Sequence, residues 1–206
     1  IHNGYINVEN QKMSKSLGNF FTVREIAQEF DLEAVRMFML GVHYRNPVNF
    51  SRELIQQSES ALERLRTARE RLDEAQQTDA KTDEDAAFSA TLDDYRTRFN
   101  EAMDDDLNTA DALGVLFELA RAVNTYVSVP RNKAVVAAAK AMFDELTGVL
   151  GILQHKSEEE FPPEALAMLE ERQTARKSRD FARADALRDA LKNMGYAVEY
   201  TAQGPK

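Results

Sequence analysis

Apolar residues recur at helical spacing over most of the chain. From Ser51 onward, Leu54, Ser58, Ala61, Leu65, Ala68, Leu72 and Ala75 step alternately by four and three, the seam of antiparallel bundle packing. A polar, charged linker follows from Thr78 to Asp85. Phe88, Leu92, Tyr95, Phe99 and Met103 then repeat the stepping in a second helix. A third carries Leu113, Leu116, Phe117, Ala120, Val123 and Val127 and stops before Pro130. A fourth carries Val135, Ala138, Met142, Leu146 and Val149 and ends at Gly148 or Gly151, residues suited to a helix C-cap. Four such stripes joined by short links predict a helical bundle.

The flanks read differently. Tyr5-Ile6-Asn7-Val8 alternates around β-favouring residues and Glu9-Asn10-Gln11 reads as a turn, which predicts a short hairpin with Lys12-Met13 on its returning arm. Thr22-Val23-Arg24-Glu25 is a capping box opening a helix to about Phe30. Asp31 caps another, with Leu32, Val35, Phe38 and Met39 at helical spacing and an end near Gly41. Arg36 on that helix reads as a surface salt-bridge partner. Past an acidic, proline-containing boundary at 155–163, one helix spans roughly Pro163 to Lys177. A second runs from Asp180 to Met194, closed by Gly195, with Phe181, Ala184, Leu187, Leu191 and Met194 as its buried stripe. Tyr196 to Tyr200 alternates as a strand without a partner strand after it. The fold class is mainly α: an N-terminal region with a loop-bearing hairpin, an antiparallel helical bundle, and a small α+β module at the end.

Composition narrows the class. A chain of 206 residues with 43% hydrophobic and 30% charged residues suits a soluble globular protein. No apolar run approaches the ~20 residues of a membrane helix, and no secretory signal pattern is present. The absence of cysteine excludes disulfides and thiolate metal sites within this stretch and fits a cytoplasmic location. A net charge of -9 argues on its face against a nucleic-acid partner. Its distribution argues otherwise. Residues 1–52 hold six Lys/Arg against five Asp/Glu, residues 53–170 hold 12 against 25, and residues 171–206 hold eight against five. An acidic middle thus separates two mildly basic ends, as in a binder that touches RNA with its ends or in an acidic bundle with a basic tail.

The candidate chemistry sits at those ends. Lys12-Met13-Ser14-Lys15-Ser16, running into Leu17-Gly18-Asn19, places two ammonium groups and two hydroxyls in a short segment without apolar periodicity, ended by a tight, mobile turn. The lysines offer compact positive charge where a leaving pyrophosphate gathers negative charge, and the serines donate to phosphate oxygens. Removing one donor of this kind from a transition state typically costs roughly 3 kcal/mol. His43-Tyr44-Arg45, in a loop before Pro47, offers an aromatic beside an arginine for a phosphate or ribose. Asp104-Asp105-Asp106 invites a metal reading, but successive helical positions point about 100° apart and cannot converge on one ion. Helix punctuation fits better, with Asp106 or Asn108 capping the next helix. The bundle offers no paired carboxylates, histidine cluster or cofactor pocket and reads as structural. Toward the C-terminus, Arg172, Arg176, Lys177, Arg179, Arg183, Arg188 and Lys192 load the surface of two helices. Arginines there suit phosphates, Phe181 offers a stacking face, and carboxylates such as Asp185 accept from base amino groups. Interleaved Asp180, Asp185 and Asp189 fit a face laced with salt bridges equally well.

The Lys12–Asn19 string resembles the signature loop of class I aminoacyl-tRNA synthetases. Its continuation Phe20-Phe21-Thr22-Val23-Arg24 is similar to cysteinyl-tRNA synthetases in particular. So are His43-Tyr44-Arg45, Asn49-Phe50-Ser51, Glu101 to Thr109, and Arg176-Lys177 with Asp180-Phe181 and Ala184 to Asp189. The resemblance implies a stem-contact region bearing the ATP loop at 1–50, a DALR-type helical bundle at 51–155 and most of an anticodon-binding module at 160–206. It implies that Lys15 binds ATP with Lys12 assisting, along with Met13, Ser14 and Ser16, as cysteine is activated to its adenylate and passed to tRNA(Cys). Contacts to tRNA fall on His43, Tyr44, Arg45, Arg176, Lys177, Arg179, Phe181, Arg183 and Asp185. ATP with Mg2+ is implied, and so is a zinc ion whose ligands lie outside this chain. The implied enzyme is a monomer that binds no membrane. The family's His-x-Gly-His element has no counterpart among His2, His43 and His155, so the chain, which opens in mid-pattern on Ile1, reads as a C-terminal piece holding half a catalytic site. Two other readings remain. One is the cysteine ligase of mycothiol synthesis, against which the basic 172–200 stretch speaks. The other is a non-catalytic RNA-binding adaptor, against which the intact lysine loop speaks.

Overall fold

The computed structural model describes residues 2–154, 162–178, 180–194, 200–201 and 204–205. They form two compact units that divide after Lys156. No helix among the described residues is long and apolar enough to cross a membrane.

The first unit opens with the expected hairpin. β1 (Ile6–Val8) and β2 (Gln11–Lys12) pair antiparallel, Val8 opposite Gln11. Glu9 and Asn10 alone make the turn, at φ of 50° and 63°, the two left-handed residues that a type I′ loop requires. Gln11 therefore belongs to the ladder, not to the turn. A strand not foreseen from the sequence, β3 (Val48–Phe50), runs parallel to β1 on its other edge.

Thr22 and Glu25 form the reciprocal capping box, and α1 (Val23–Ile26) that follows is a single turn. The carboxylate of Asp31 accepts from the Glu33 amide at 2.9 Å and starts α2 (Leu32–Leu40). Its buried apolar residues are Ala34, Met37 and Phe38, while Leu32 and Met39, expected in the stripe, are exposed. The stripe is rotated because α2 packs against α3 (Arg52–Glu74), where Ala34, Phe38, Val48 and Ile55 gather in a small core of their own. The same contact draws Ile55 and Leu62 of α3 inward in place of Leu54, Ser58 and Ala61. From Leu65 onward, α3 follows its predicted seam through Ala68 and Leu72.

α4 (Asp83–Asp104) begins inside the stretch read as linker, because Thr82 and Asp85 form a second capping box. α5 (Thr109–Tyr126) and α6 (Lys133–Leu150) complete the bundle. α5 and α6 each pack on both α3 and α4, so the consecutive α3 and α4 lie across the bundle from one another. Leu65, Phe99, Leu116, Leu119, Phe143 and Leu146 fill the centre. On α6, Val136, Ala139 and Leu150 are buried where Val135, Ala138 and Val149 were expected, and Val149 is exposed. Gly151, at φ 65°, provides the left-handed C-cap, leaving Gly148 inside the helix. Arg36 makes no surface salt bridge. Its Nε donates to the Leu150 carbonyl at 2.7 Å, satisfying an orphan acceptor at the end of α6.

The far end of the bundle is closed by two short parallel strands, β4 (Gln77–Thr78) and β5 (Arg131–Asn132). Beneath them Asp85, only 2% exposed, accepts hydrogen bonds from the Tyr126 and Thr82 hydroxyls and from the amides of Thr82 and Asn132. The Tyr126 hydroxyl and then Thr82 hold the Asp85 carboxyl far below the usual carboxylate range.

In the second unit α7 (Pro163–Lys177) packs against α8 (Phe181–Asn193), whose first turn is capped by Asp180. Ala184, Leu187 and Leu191 are buried as predicted, but Phe181 is 59% exposed and Met194 is also exposed. Arg172, expected on the surface, is buried at 4% exposure. β6 (Tyr200–Thr201) pairs antiparallel with β7 (Gly204–Pro205), so the strand expected to lack a partner has one. The cap assigned to Gly195, the earlier part of the predicted strand and most of the 155–163 boundary lie outside the described residues.

Candidate functional site

The lysine segment is a pinned loop on the end of the hairpin. Lys12 closes β2, and the Met13 amide donates to the Ile6 carbonyl at 3.0 Å. Ser14 then caps a 3-10 turn over Lys15–Leu17, its hydroxyl accepting from the Leu17 amide at 3.3 Å. Gly18 ends that turn at φ 69°, a conformation that glycine reaches without a Cβ penalty. Asn19 turns back across the loop. Its Oδ1 accepts from the Ser14 amide at 2.8 Å and its Nδ2 donates to the Lys12 carbonyl at 3.3 Å. The turn read as mobile is therefore tied at both ends by one side chain.

No residue from Lys12 to Phe20 is buried. The Lys12 ammonium stands 4.2 Å from the centre of the Tyr5 ring and that of Lys15 stands 5.3 Å from the Phe20 ring. Such exposed contacts are worth about 0.5–1 kcal/mol. Both cations are thus oriented by aromatic faces that release them cheaply to a stronger anion. The Ser14 and Ser16 hydroxyls lie 3.1 Å apart on the same segment. One short loop therefore presents two ammonium groups and two hydroxyls to solvent. Tyr5, Phe20 and Asn19 carried no sequence signal for this role beyond their nearness to the lysines.

His43, Tyr44 and Arg45 come together, but around a carboxylate of the bundle. The Tyr44 hydroxyl donates to Asp106 Oδ1 at 2.7 Å, and the Arg45 guanidinium engages both oxygens of Asp106. The His43 ring stacks on Tyr44 with centroids 4.9 Å apart, and its Nε2 lies 3.8 Å from Asp106. Arg45 and then Tyr44 lower the Asp106 carboxyl to about 2. Asp106 thus has a partner other than the helix start, and Asn108 is the cap of α5, its Oδ1 accepting from the Asp111 amide at 3.2 Å. Asp106 and Leu107 both sit at positive φ, 55° and 57°. The adjacent aspartates therefore mark a left-handed turn between α4 and α5.

In the second unit Arg183 donates to Glu171 at 2.9 and 2.7 Å, and Arg188 lies 3.1 Å from Asp185 and 3.2 Å from Asp189. Arg183 and Asp185 are thus engaged in local ion pairs on an exposed face, where such pairs are worth about 0–1 kcal/mol. Phe181 stands on that helix largely open to solvent, and Arg176 is exposed on α7. Arg179 and the Lys177 side chain lie outside the described residues. The chain has no cysteine, and among the described residues no group of three His, Asp or Glu is arranged to hold a metal ion.

Three families match successive parts of the chain. Residues 1–60 match the class I (C) tRNA synthetase catalytic domain, 98–154 the DALR domain, and 158–204 the cysteinyl-tRNA ligase anticodon binding domain. The whole chain is 48% identical over 209 residues to the cysteine–tRNA ligase of Caldicellulosiruptor saccharolyticus and 44% identical over 211 residues to that of Clostridioides difficile. It spans 45% of the length of each of these relatives. Among solved structures, LeuRS of Agrobacterium radiobacter K84, in its ternary complex with tRNA and LeuAMS, superposes with a TM-score of 0.54. That match has 22% identity and covers 72% of this chain and 22% of LeuRS, a likeness of fold. From end to end, then, the chain is similar to cysteine–tRNA ligases.

Proposed function

We propose that this chain is the ATP-loop and tRNA-binding part of a cytoplasmic, monomeric cysteine–tRNA ligase, which activates cysteine with ATP and transfers it to tRNA(Cys). In this reading residues 1–50 form the stem-contact region, 51–155 the bundle and 160–206 the anticodon-binding module. The observation that carries it is the exposed, Asn19-pinned loop with both ammonium groups held on aromatic faces. Lys15 and Lys12 leave Phe20 and Tyr5 for the triphosphate and neutralise charge that grows on the departing pyrophosphate. Ser14 and Ser16 donate to its oxygens, and the Met13 backbone stays in the ladder that holds the loop. Because charge on the leaving group is greatest at the transition state, the lysines act on rate more than on affinity. Phe181, Arg176, Lys177 and Arg179 serve the RNA end. Arg183 and Asp185 serve it by exchanging their local partners for RNA, as His43, Tyr44 and Arg45 do by exchanging Asp106.

The test is Lys15→Ala in the full-length gene product. ATP–pyrophosphate exchange should fall about 100- to 1,000-fold in kcat, with cysteine binding nearly unchanged. Equal losses in both would contradict the transition-state role. The 206-residue chain by itself should show no exchange.

A further inference from the structure

The turn between α4 and α5 is strained. Apart from the hairpin's Glu9 and Asn10, Asp106 and Leu107 are the one adjacent pair of non-glycine residues at positive φ among the described residues. Such backbone persists only where its surroundings hold it, and it gathers at functional sites. Leu107 is 46% exposed, so burial does not offset the strain. What the turn accomplishes is to aim the Asp106 carboxylate at Tyr44 and Arg45. That contact stabilises little, because the Arg45 and Asp106 side chains are 61% and 43% exposed and ion pairs in water are weak. What it does well is place the turn at 43–46. This turn closes with the Asn46 amide donating to the His43 carbonyl at 2.9 Å, and it lies directly on the chain entering β1. The Gly4 amide donates to the Tyr44 carbonyl at 2.7 Å, and a Cβ on Gly4 would fall 2.1 Å from the Asn46 carbonyl oxygen. Tyr5 follows, its carbonyl accepting from the Val48 amide at 2.9 Å and its ring carrying the Lys12 ammonium. The Thr109 hydroxyl donates to the Leu40 carbonyl at 2.7 Å, so α5 also holds the end of α2 from which the 43–46 turn departs.

We infer that Asp106 is a positioning residue for the lysine loop, acting from the bundle through the 43–46 turn, Gly4 and Tyr5. It fixes Tyr44 and Arg45, their turn fixes Gly4, and Gly4 sets where the Tyr5 ring meets Lys12. The path is contiguous, each step a hydrogen bond, a ring contact or an approach that leaves no room for a side chain. A lysine on a flexible four-carbon stem gains from such a fixed rest, because its ammonium starts each turnover from one place. This role rests on the proposed work of Lys12 on ATP and does not depend on RNA.

The experiment is a double-mutant cycle on ATP–pyrophosphate exchange without tRNA, in the full-length protein, with Asp106→Asn and Lys12→Ala made singly and together. Asparagine tolerates the left-handed turn and removes the charge. Asp106→Asn should lower kcat about two- to fivefold, the range that loss of a surface cation–π rest allows, with the KM for cysteine unchanged. In the Lys12→Ala background the same change should lower kcat no further, whereas a merely structural role would lower it alike in both. Tyr44→Phe, which leaves the α4–α5 turn untouched, should lower kcat about twofold with the same dependence on Lys12. It decides the question if thermal unfolding shows Asp106→Asn to be misfolded. Should Lys12→Ala slow exchange while Asp106→Asn leaves it unchanged, or slows it equally in both backgrounds, the positioning role is overturned and the ATP loop stands. Exchange indifferent to Lys12→Ala would overturn both.

Discussion

The lysine loop and the helical bundle divide two tasks between them. From Lys12 to Phe20 nothing is buried, and the loop is shaped by one glycine, one serine cap and the two hydrogen bonds of Asn19. In α5, by contrast, eight residues are buried, and they meet side chains from all three other bundle helices. The loop keeps its cations available because it spends almost no apolar contact on them. The bundle can do so little chemistry because nearly every apolar side chain is spent on packing. Position without burial, on a base that is nearly all burial, is the arrangement the proposed phosphate-closing role needs.

In the full-length gene product, changes in the two regions should therefore separate cleanly. Phe143→Ala empties a fully buried site in the bundle and should lower unfolding free energy by about 3–5 kcal/mol, measured by urea denaturation, with little effect on exchange per folded molecule. A large activity loss at full folding would break the division. Asn19→Ala removes both clips of the loop. Each is worth about 0.5–1.5 kcal/mol, so the exchange rate should drop about tenfold while global stability barely moves. The smallest effect concerns acid. Asp85 has its carboxyl depressed in the folded state, so its contribution is complete above the unfolded carboxylate value near 3.9 and fades as pH falls below it. The urea midpoint of wild type should therefore fall between pH 5 and 2 more steeply than that of Asp85→Asn. Parallel curves would show that the Tyr126–Thr82–Asp85 cluster does not govern acid stability.

Local signals were the most legible from sequence. Thr22, Asp31 and Ser51 cap the helices they were expected to cap, and the seams of α4 and α5 are buried along Leu92, Phe99, Leu116 and Val123. Seams failed where a second neighbour competes. Ile55 displaced Leu54 because α3 meets α2 there, a contact invisible to the periodicity of α3 alone. Contacts between distant segments carried no signal. β3 pairs with β1 across some forty residues, and Asp106, read as helix punctuation, captures Tyr44 and Arg45 from 62 and 61 positions away. The lysine string stood out as chemistry without structure, yet its tether to Asn19 and the aromatic rests under its ammonium groups needed coordinates to see.

Gly151 is where two distant stretches are riveted. A Cβ there would fall within 2.8 Å of the Arg36 guanidinium, in a backbone conformation already hostile to side chains. Nearby, the Gln154 amide donates to Glu33 at 2.9 Å. α2 is thereby tied to the end of α6 through Arg36 and to the segment just past α6 through Glu33. In the proposed reading, a swing of the ammonium groups onto a nucleotide would therefore take place ahead of α2, with the bundle serving as its fixed anvil.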